Sequence, residues 1–108
     1  AAPSSCPTNN QICFYQNINY LGNEYISTPT VGTCYNLPAS WQTIVSSVYN
    51  RYPQGTHSVK FYDHASCTTG GNSIVLGPNN GFSNLNNNCK GTGCEDTWND
   101  AIVSFKVL

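Results

Sequence analysis

Apolar and polar residues alternate over short runs in this chain, and the runs recur in two halves. Ile12 and Phe14 alternate with Cys13 and Tyr15, and the segment VKFY at 59–62 has the same arrangement. A period of two residues places successive side chains on opposite faces of a strand. Each half is therefore predicted to open with a strand whose Ile12 and Phe14 positions face the core.

Turn-forming residues separate these opening strands from further apolar runs. Gly22 follows the first run, at a point where a hairpin that folds over needs a residue with positive φ. No segment keeps a helical period, so the sequence predicts an all-β chain. The later predicted strands lie around Tyr25–Ile26, Tyr35–Leu37 and Ile44–Tyr49 in the first half, and around Ile74–Leu76, Leu85 and Ala101–Val107 in the second.

Four short strands in each half are too few to bury a sheet face alone, which favours two Greek keys packed as one sandwich. The predicted keys span about 12–50 and about 59–108. Together they form a single domain over 12–108, preceded by a polar arm at 1–11.

The alignment of the halves predicts an insertion in the second key. The offset is 48 residues between Ile26 and Ile74 and between Leu37 and Leu85, but 57 residues between Trp41 and Trp98. Nine extra residues therefore lie between 85 and 98, in NNNCKGTGCEDT. A repeated fold tolerates additions in its loops, and function is commonly located there.

Charge and composition exclude two classes of partner. Only 8% of the 108 residues are charged, and the four cations, Arg51, Lys60, Lys90 and Lys106, are scattered. Nucleic-acid binding needs clustered cations to neutralise phosphates, so no nucleic-acid partner is predicted. No stretch approaches the roughly 20 apolar residues of a membrane span, so no span is predicted either.

Six cysteines and no methionine in so short a chain predict a secreted, extracellular protein with three disulfides. The start, AAPSSCP, lacks an apolar run and is typical of a mature end left by signal cleavage. Zinc is not expected, because no two-residue cysteine spacing occurs.

Six cysteines allow 15 pairings, so connectivity is not fixed by their number. Cys89–Cys94 is predicted to pair locally, since four intervening residues can close a turn. Cys6–Cys13 would tie the arm to the outward face of the first strand. Cys34–Cys67 then remains and would join the two keys.

Two motifs resemble the βγ-crystallin superfamily. FYQNINYLG at 14–22 has an aromatic-x4-aromatic-x-Gly pattern, and NDAIVSF at 99–105 has an N/D-N/D-x-x-S/T-S-type pattern. The resemblance covers about 12–107 and is greatest to the secreted microbial branch. That branch includes the Streptomyces metalloproteinase inhibitor and killer-toxin-like antimicrobial proteins. It implies the same sandwich of two Greek keys.

The resemblance also implies a possible calcium site, since many microbial members bind two calcium ions through this motif. By that analogy, the carbonyl of Ile44, the Ser46 hydroxyl and Asp100 would form one site. The twin site would need Thr43 and Val103, and valine has no oxygen in its side chain. Calcium favours six to eight oxygen ligands. At most one weakly bound ion is expected, and no other cofactor.

No enzymatic activity is predicted. Asp63, His64 and several serines occur, but no Gly-x-Ser-x-Gly elbow is present. Asp63 and His64 fall within the predicted second hairpin turn, where solvated side chains are expected. The cysteines are expected to be oxidised rather than nucleophilic.

Two function classes remain. The first is a monomeric inhibitor or toxin-like binding protein, whose target is an extracellular peptidase or a cell-wall component. Its docking loop would be the ring formed by Cys89, Lys90, Gly91, Thr92, Gly93 and Cys94, because a short covalent ring loses little entropy on binding. The second is a calcium-binding structural protein of a cell surface or spore coat, based on Ser46 and Asp100.

Overall fold

The described residues of the computed structural model, 2–90, 94 and 96–108, contain eight strands in two antiparallel four-stranded sheets. In chain order the strands are β1 Ile12–Asn17, β2 Leu21–Ser27, β3 Cys34–Asn36, β4 Ser47–Asn50, β5 Val59–Tyr62, β6 Ser73–Leu76, β7 Asn80–Phe82 and β8 Ser104–Val107. Single 3-10 turns lie at Ile18–Tyr20, Ala65–Cys67 and Leu85–Asn87. None of the helical segments described is long and apolar enough to cross a membrane. The predicted all-β class is confirmed.

The two halves exchange one strand each. The first sheet has the order β2-β1-β4-β7, and the second has the order β3-β8-β5-β6. Strand β3 of the first half pairs with β8 through Tyr35 and Phe105, and β7 of the second half pairs with β4 through Gly81 and Tyr49. Because each sheet needs a strand from the other half, the two Greek keys form one sandwich.

The core lies between the sheets and has the predicted facing. Ile12 and Phe14 are fully buried there, and Val59 and Phe61 take the same places in the second half. The Phe14 ring lies 5.1 Å from the Phe105 ring, centroid to centroid. Aromatic pairs at such distances add to the stability gained from burial of their area.

The outer face of β1 is covered by the segment that precedes it. Cys13 and Tyr15 point away from the core yet are buried, because Cys6 and its neighbours lie over them. The Tyr15 hydroxyl is 2.8 Å from that of Ser5. Arg51 fixes the segment from the other side, since its Nε donates to the Cys6 carbonyl. Burial raises the pKa of Tyr15 well above its ordinary value, and the Ser5 hydrogen bond only partly offsets this.

Three disulfides are present, and their pairing is the predicted one. They are Cys6–Cys13, Cys34–Cys67 and Cys89–Cys94. Cys34 lies on the exchanged strand β3, so its bond to Cys67 joins a first-half strand covalently to the second half.

Several predicted strand positions were wrong. The predicted strand around Leu85 is a 3-10 turn, and the strand that pairs with β4 lies earlier, at Asn80–Phe82. The segments before Ser47 and Ser104 are not strands but loops that pair with each other across the halves. Leu85 is nevertheless buried, which explains why an apolar residue occurs there.

The alignment of the second strands was also wrong, by one residue. Phe14 pairs with Tyr25 and Phe61 pairs with Ile74, so Tyr25 rather than Ile26 is the counterpart of Ile74. The side chain of Ile26 accordingly lies on the outer face and is 39% exposed. The misalignment arises because the connection between the first two strands has eight residues in the first half, at 16–23, and ten in the second half, at 63–72.

Gly22 has a φ of +82°, as predicted, and a Cβ there would lie 2.7 Å from Nδ2 of Asn17. Gly32 has a φ of +84° with no heavy atom within 4 Å of the same position. Both Gly22→Ala and Gly32→Ala should therefore cost about 1 kcal/mol of backbone strain. Gly22→Ala should cost more, because Asn17 must also move. Denaturant unfolding of the two variants checks this, and equal losses would contradict it.

Candidate functional site

The described residues of the insertion in the second key are hydrogen-bonded to each other at its base. We call residues 88–98 the inserted hairpin. Its base is closed by the Trp98 N–H, which donates to the Asn88 carbonyl, and by the Lys90 N–H, which donates to Asp96, both at 2.9 Å. Cys89 and Thr97 form the bridge between these bonds. Of the predicted ring, Gly91, Thr92 and Gly93 lie outside the described residues.

Lys90 faces the sandwich instead of a partner. Its side chain is only 15% exposed, and its Nζ lies 3.0 Å from Oδ2 of Asp63. The same Nζ lies 5.8 Å from the centroid of the Trp98 ring, which is buried. An ammonium group over an indole face is attracted by the ring electrons. Lys90 was predicted to lie in an exposed docking loop, but its side chain is largely covered and its charge is paired within the fold.

Asp63 is not the solvated turn residue that the sequence predicted. Its side chain is 9% exposed, and its Oδ1 lies 2.7 Å from Nδ1 of His64 and accepts the Asn72 N–H at 2.9 Å. Burial alone would raise the pKa of the Asp63 carboxyl. The hydrogen bond and charge of Lys90, with His64 and the Asn72 N–H, outweigh burial and hold that pKa below its usual value. Gly71 lies directly against Asp63 and His64, where a side chain would not fit.

His64 and Asp63 do not form a catalytic triad with Ser104. The Ser104 hydroxyl donates to the backbone carbonyl of His64 and not to its ring. The His64 side chain is 49% exposed and follows the hairpin edge, as expected for a turn residue. His64 thus contacts Asp63, and Asp63 in turn pairs with Lys90.

The three predicted calcium donors lie in one neighbourhood. The Asp100 N–H donates to the Val45 carbonyl at 2.9 Å, which places Asp100 beside the residues Ile44 and Ser46. Asp100 is exposed and Ser46 is 9% exposed. Within the described part of the chain, no group of three or more His, Cys, Asp or Glu side chains is arranged to hold a metal. The arrangement therefore fits at most a site built largely of carbonyl and hydroxyl oxygens.

A cleft of about 450 Å³ opens in the first half. We call it the first-half cleft; it is lined by Gln16, Asn23, Glu24, Ser40, Trp41 and Ile44. Of this set, only Ile44 was predicted as a site residue. The signal that could have revealed it was the repeat, since Gln16 and Trp41 are the counterparts of Asp63 and Trp98.

Asp63→Asn should lower the free energy of unfolding by about 1–3 kcal/mol at pH 6, because it leaves the Lys90 ammonium largely buried without its counter-charge. The matched control is Asp96→Asn. Asp96 is 77% exposed and 3.8 Å from the same Nζ, so its loss should cost less than about 0.5 kcal/mol.

The difference between the Asp63→Asn variant and the parent should also depend on pH. The pKa of Asp63 is lower in the folded chain, so its contribution is complete above the unfolded value of about 3.9. It is lost as the pH falls through the lower folded value. Unfolding curves at pH 6 and pH 2 measure this, and a pH-independent difference would be inconsistent with the ion pair.

The fold is that of the βγ-crystallins. A structure from work on the evolution of the eye-lens βγ-crystallin domain fold matches with a TM-score of 0.71 and 21% identity, over 99% of this chain and 93% of the other. A βγ-crystallin from Ciona intestinalis matches with a TM-score of 0.61 and 19% identity, over 91% and 99%. The βγ-crystallin domain of abundant perithecial protein from Neurospora crassa, in its Ca²⁺-bound form, gives 0.62 and 18%, over 99% and 94%.

The sequence itself matches one family. A comparison with curated proteins gives no significant match. The profile of peptidase inhibitor family I36 matches residues 1–76, which is more than half of the chain. The match confirms the predicted resemblance to the microbial inhibitor branch of the βγ-crystallin fold and supports a non-enzymatic protein. The chain belongs to peptidase inhibitor family I36.

Proposed function

We propose that the chain is a secreted inhibitor of an extracellular peptidase and that the inserted hairpin is its docking edge. Family membership supports a peptidase as the partner. Three disulfides support an oxidising, extracellular location. The family match ends at residue 76, so the role of the inserted hairpin is argued from its geometry alone.

The observation that carries the proposal is the bracing of the inserted hairpin. The Cys89–Cys94 disulfide closes its ring, and the Lys90 N–H bond to Asp96 holds its two strands together. The Lys90–Asp63 ion pair then fixes the hairpin to the second sheet. A loop that is ordered before it binds loses less conformational entropy on docking, which favours inhibition.

The contact surface of the inserted hairpin excludes the lysine. Cys89, Cys94 and Asp96 are exposed, whereas the Lys90 side chain points into the fold. Lys90 therefore acts as an anchor that positions the edge. A target peptidase would contact the surface that includes Cys89, Cys94 and Asp96.

Opening the ring should weaken inhibition. The purified chain is titrated against a panel of extracellular metallopeptidases and serine peptidases, with the inhibition constant as the readout. Cys89→Ser combined with Cys94→Ser should raise that constant at least about ten-fold, because the edge must then be ordered during docking. Asp63→Asn, which leaves the disulfide in place, should raise it less.

The matched control is Val75→Ser. Val75 is 50% exposed on β6 of the second sheet and does not belong to the inserted hairpin. The inhibition constant of the Val75→Ser variant should therefore equal that of the parent. If the double cysteine variant inhibits as strongly as the parent, the inserted hairpin is not the docking edge. Failure to inhibit any peptidase, with growth inhibition of microbial cells instead, would favour a cell-wall target.

A calcium-binding structural protein is the second candidate. The hydrogen bond from the Asp100 N–H to the Val45 carbonyl supports it, since Val45 lies between Ile44 and Ser46, the other two predicted donor residues. The Neurospora crassa domain with the same fold was determined in a Ca²⁺-bound form. Asn99 Oδ1, in the second motif, is a buried acceptor with no partner among the described residues.

Isothermal titration should detect at most one weak calcium ion. Val103 offers no hydroxyl for a twin site, and calcium needs several charged oxygens for tight binding. Asp100→Ala should abolish whatever binding occurs, whereas Asp96→Ala, another exposed aspartate outside the donor set, should not. Two sites tighter than about 10 μM, an affinity in the range of calcium sensors, would contradict this.

A further inference from the structure

The first-half cleft occupies the place that the Lys90 side chain fills in the second half. Gln16 follows Tyr15 and Asp63 follows Tyr62 at the same step of the repeated strand. The two polar residues therefore lie at equivalent points of their hairpins. Asp63 holds the Lys90 ammonium at 3.0 Å, whereas Gln16 lines an open cleft.

The aromatic walls of the two places are also equivalent. Trp41 lies six residues before Ser47, and Trp98 lies six residues before Ser104. Each of these serines accepts a backbone N–H from the folded-over hairpin of its own half. The Lys90 Nζ lies over the Trp98 ring, so the equivalent position in the first half lies over Trp41.

The first half supplies no side chain of its own for this position. The second half places Lys90 there through the inserted hairpin. In the first half, Leu37 and Trp41 are separated only by Pro38, Ala39 and Ser40, none of which carries a charge. The molecule thus shows the same kind of site twice, once with an internal lysine and once open.

The lining of the first-half cleft suits a cation. Glu24 also lines the cleft, in the strand position that Ser73 takes in the second half. Gln16 Oε1 accepts an Asn23 amide hydrogen at 3.0 Å, which fixes that oxygen at the edge. Oxygen acceptors beside an indole ring are the groups that bind ammonium and guanidinium ions.

We propose that the first-half cleft is a recognition subsite for a lysine or arginine side chain of a partner protein. The cleft reaches Ile44, next to Val45, whose carbonyl is bonded to Asp100 of the second half. Trp98, the last residue of the inserted hairpin, lies two residues before Asp100. One partner could therefore contact both places, although the subsite does not depend on the proposed inhibition.

The test uses the ¹⁵N-labelled full chain with a calcium chelator present. The probes are Nα-acetyl-lysine methylamide and Nα-acetyl-arginine methylamide, and the neutral control is Nα-acetyl-norleucine methylamide. The basic probes should give saturable shifts of the Gln16 and Asn23 side-chain amides and of the Trp41 indole N–H. The Trp98 indole signal should stay unchanged, because Lys90 already covers that ring.

A gain of affinity provides the second measurement. Gln16→Asp introduces the acid found at Asp63 and should tighten the basic probes roughly three-fold, as expected for a solvent-exposed ion pair. Thr8→Asp adds the same charge on the N-terminal segment and should leave affinity unchanged. Thermal midpoints near that of the parent show that both variants are folded.

Three outcomes would overturn the proposal. The first is equal shifts with the norleucine probe, which would make the contact merely apolar. The second is an equal gain of affinity from Thr8→Asp, which would show that the gain comes from the added negative charge and not from its position in the cleft. The third is saturable shifts with N-acetylglucosamine but not with the basic probes, which would assign the cleft to carbohydrate.

Discussion

Two buried serine hydroxyls hold the hairpins of this fold in place. The Ser47 hydroxyl donates to the Asn17 carbonyl at 2.6 Å and accepts the Tyr20 N–H at 3.1 Å. Ser104 makes the same pair of bonds in the second half. Both hairpins bend through consecutive residues with positive φ, at Asn19 and Tyr20 in the first, which costs backbone strain. The serine bonds offset that strain, so each hairpin tip stays folded over its sheet and presents Gln16 or Asp63 to the loop that carries the tryptophan.

The sequence could predict the parts of the fold that depend on local pattern. The two-residue alternation at Ile12–Tyr15 gave the correct faces, and Gly22 has the positive φ expected of the hairpin. The exchange of β3 and β7 between the sheets could not be predicted, because it depends on pairing between segments far apart in the chain. The alignment of Ile26 with Ile74 failed for a related reason. Hairpin length is set by three-dimensional turn geometry. A constant offset of 48 residues therefore could not reveal that the hairpin connection of the second half is two residues longer.

The contacts of the candidate site were even harder to predict from the sequence than the strand exchange. A lysine flanked by cysteine and glycine in a polar loop is typical of an exposed residue, and composition gives no sign of an internal partner. The Lys90 side chain is largely covered because it pairs with Asp63, which lies 27 positions earlier. Neither residue is unusual by itself, and only the fold brings them together. The disulfides could be predicted because their constraint is simpler: two of the three close over short separations, and the third then follows.

The inserted hairpin breaks the equivalence of the two halves in two ways at once. It adds a disulfide-closed edge to the second half, and through Lys90 it fills the place beside Trp98. The first half keeps its counterpart open beside Trp41. Two nearly equivalent keys thus present different surfaces, one closed by a disulfide and the Lys90–Asp63 ion pair, the other an open polar cleft. Because the 43–46 and 100–103 segments are hydrogen-bonded to each other between these surfaces, their relative position is fixed by the backbone. A partner that contacts both must match a fixed spacing, and such a geometric requirement is a source of specificity that neither surface provides alone.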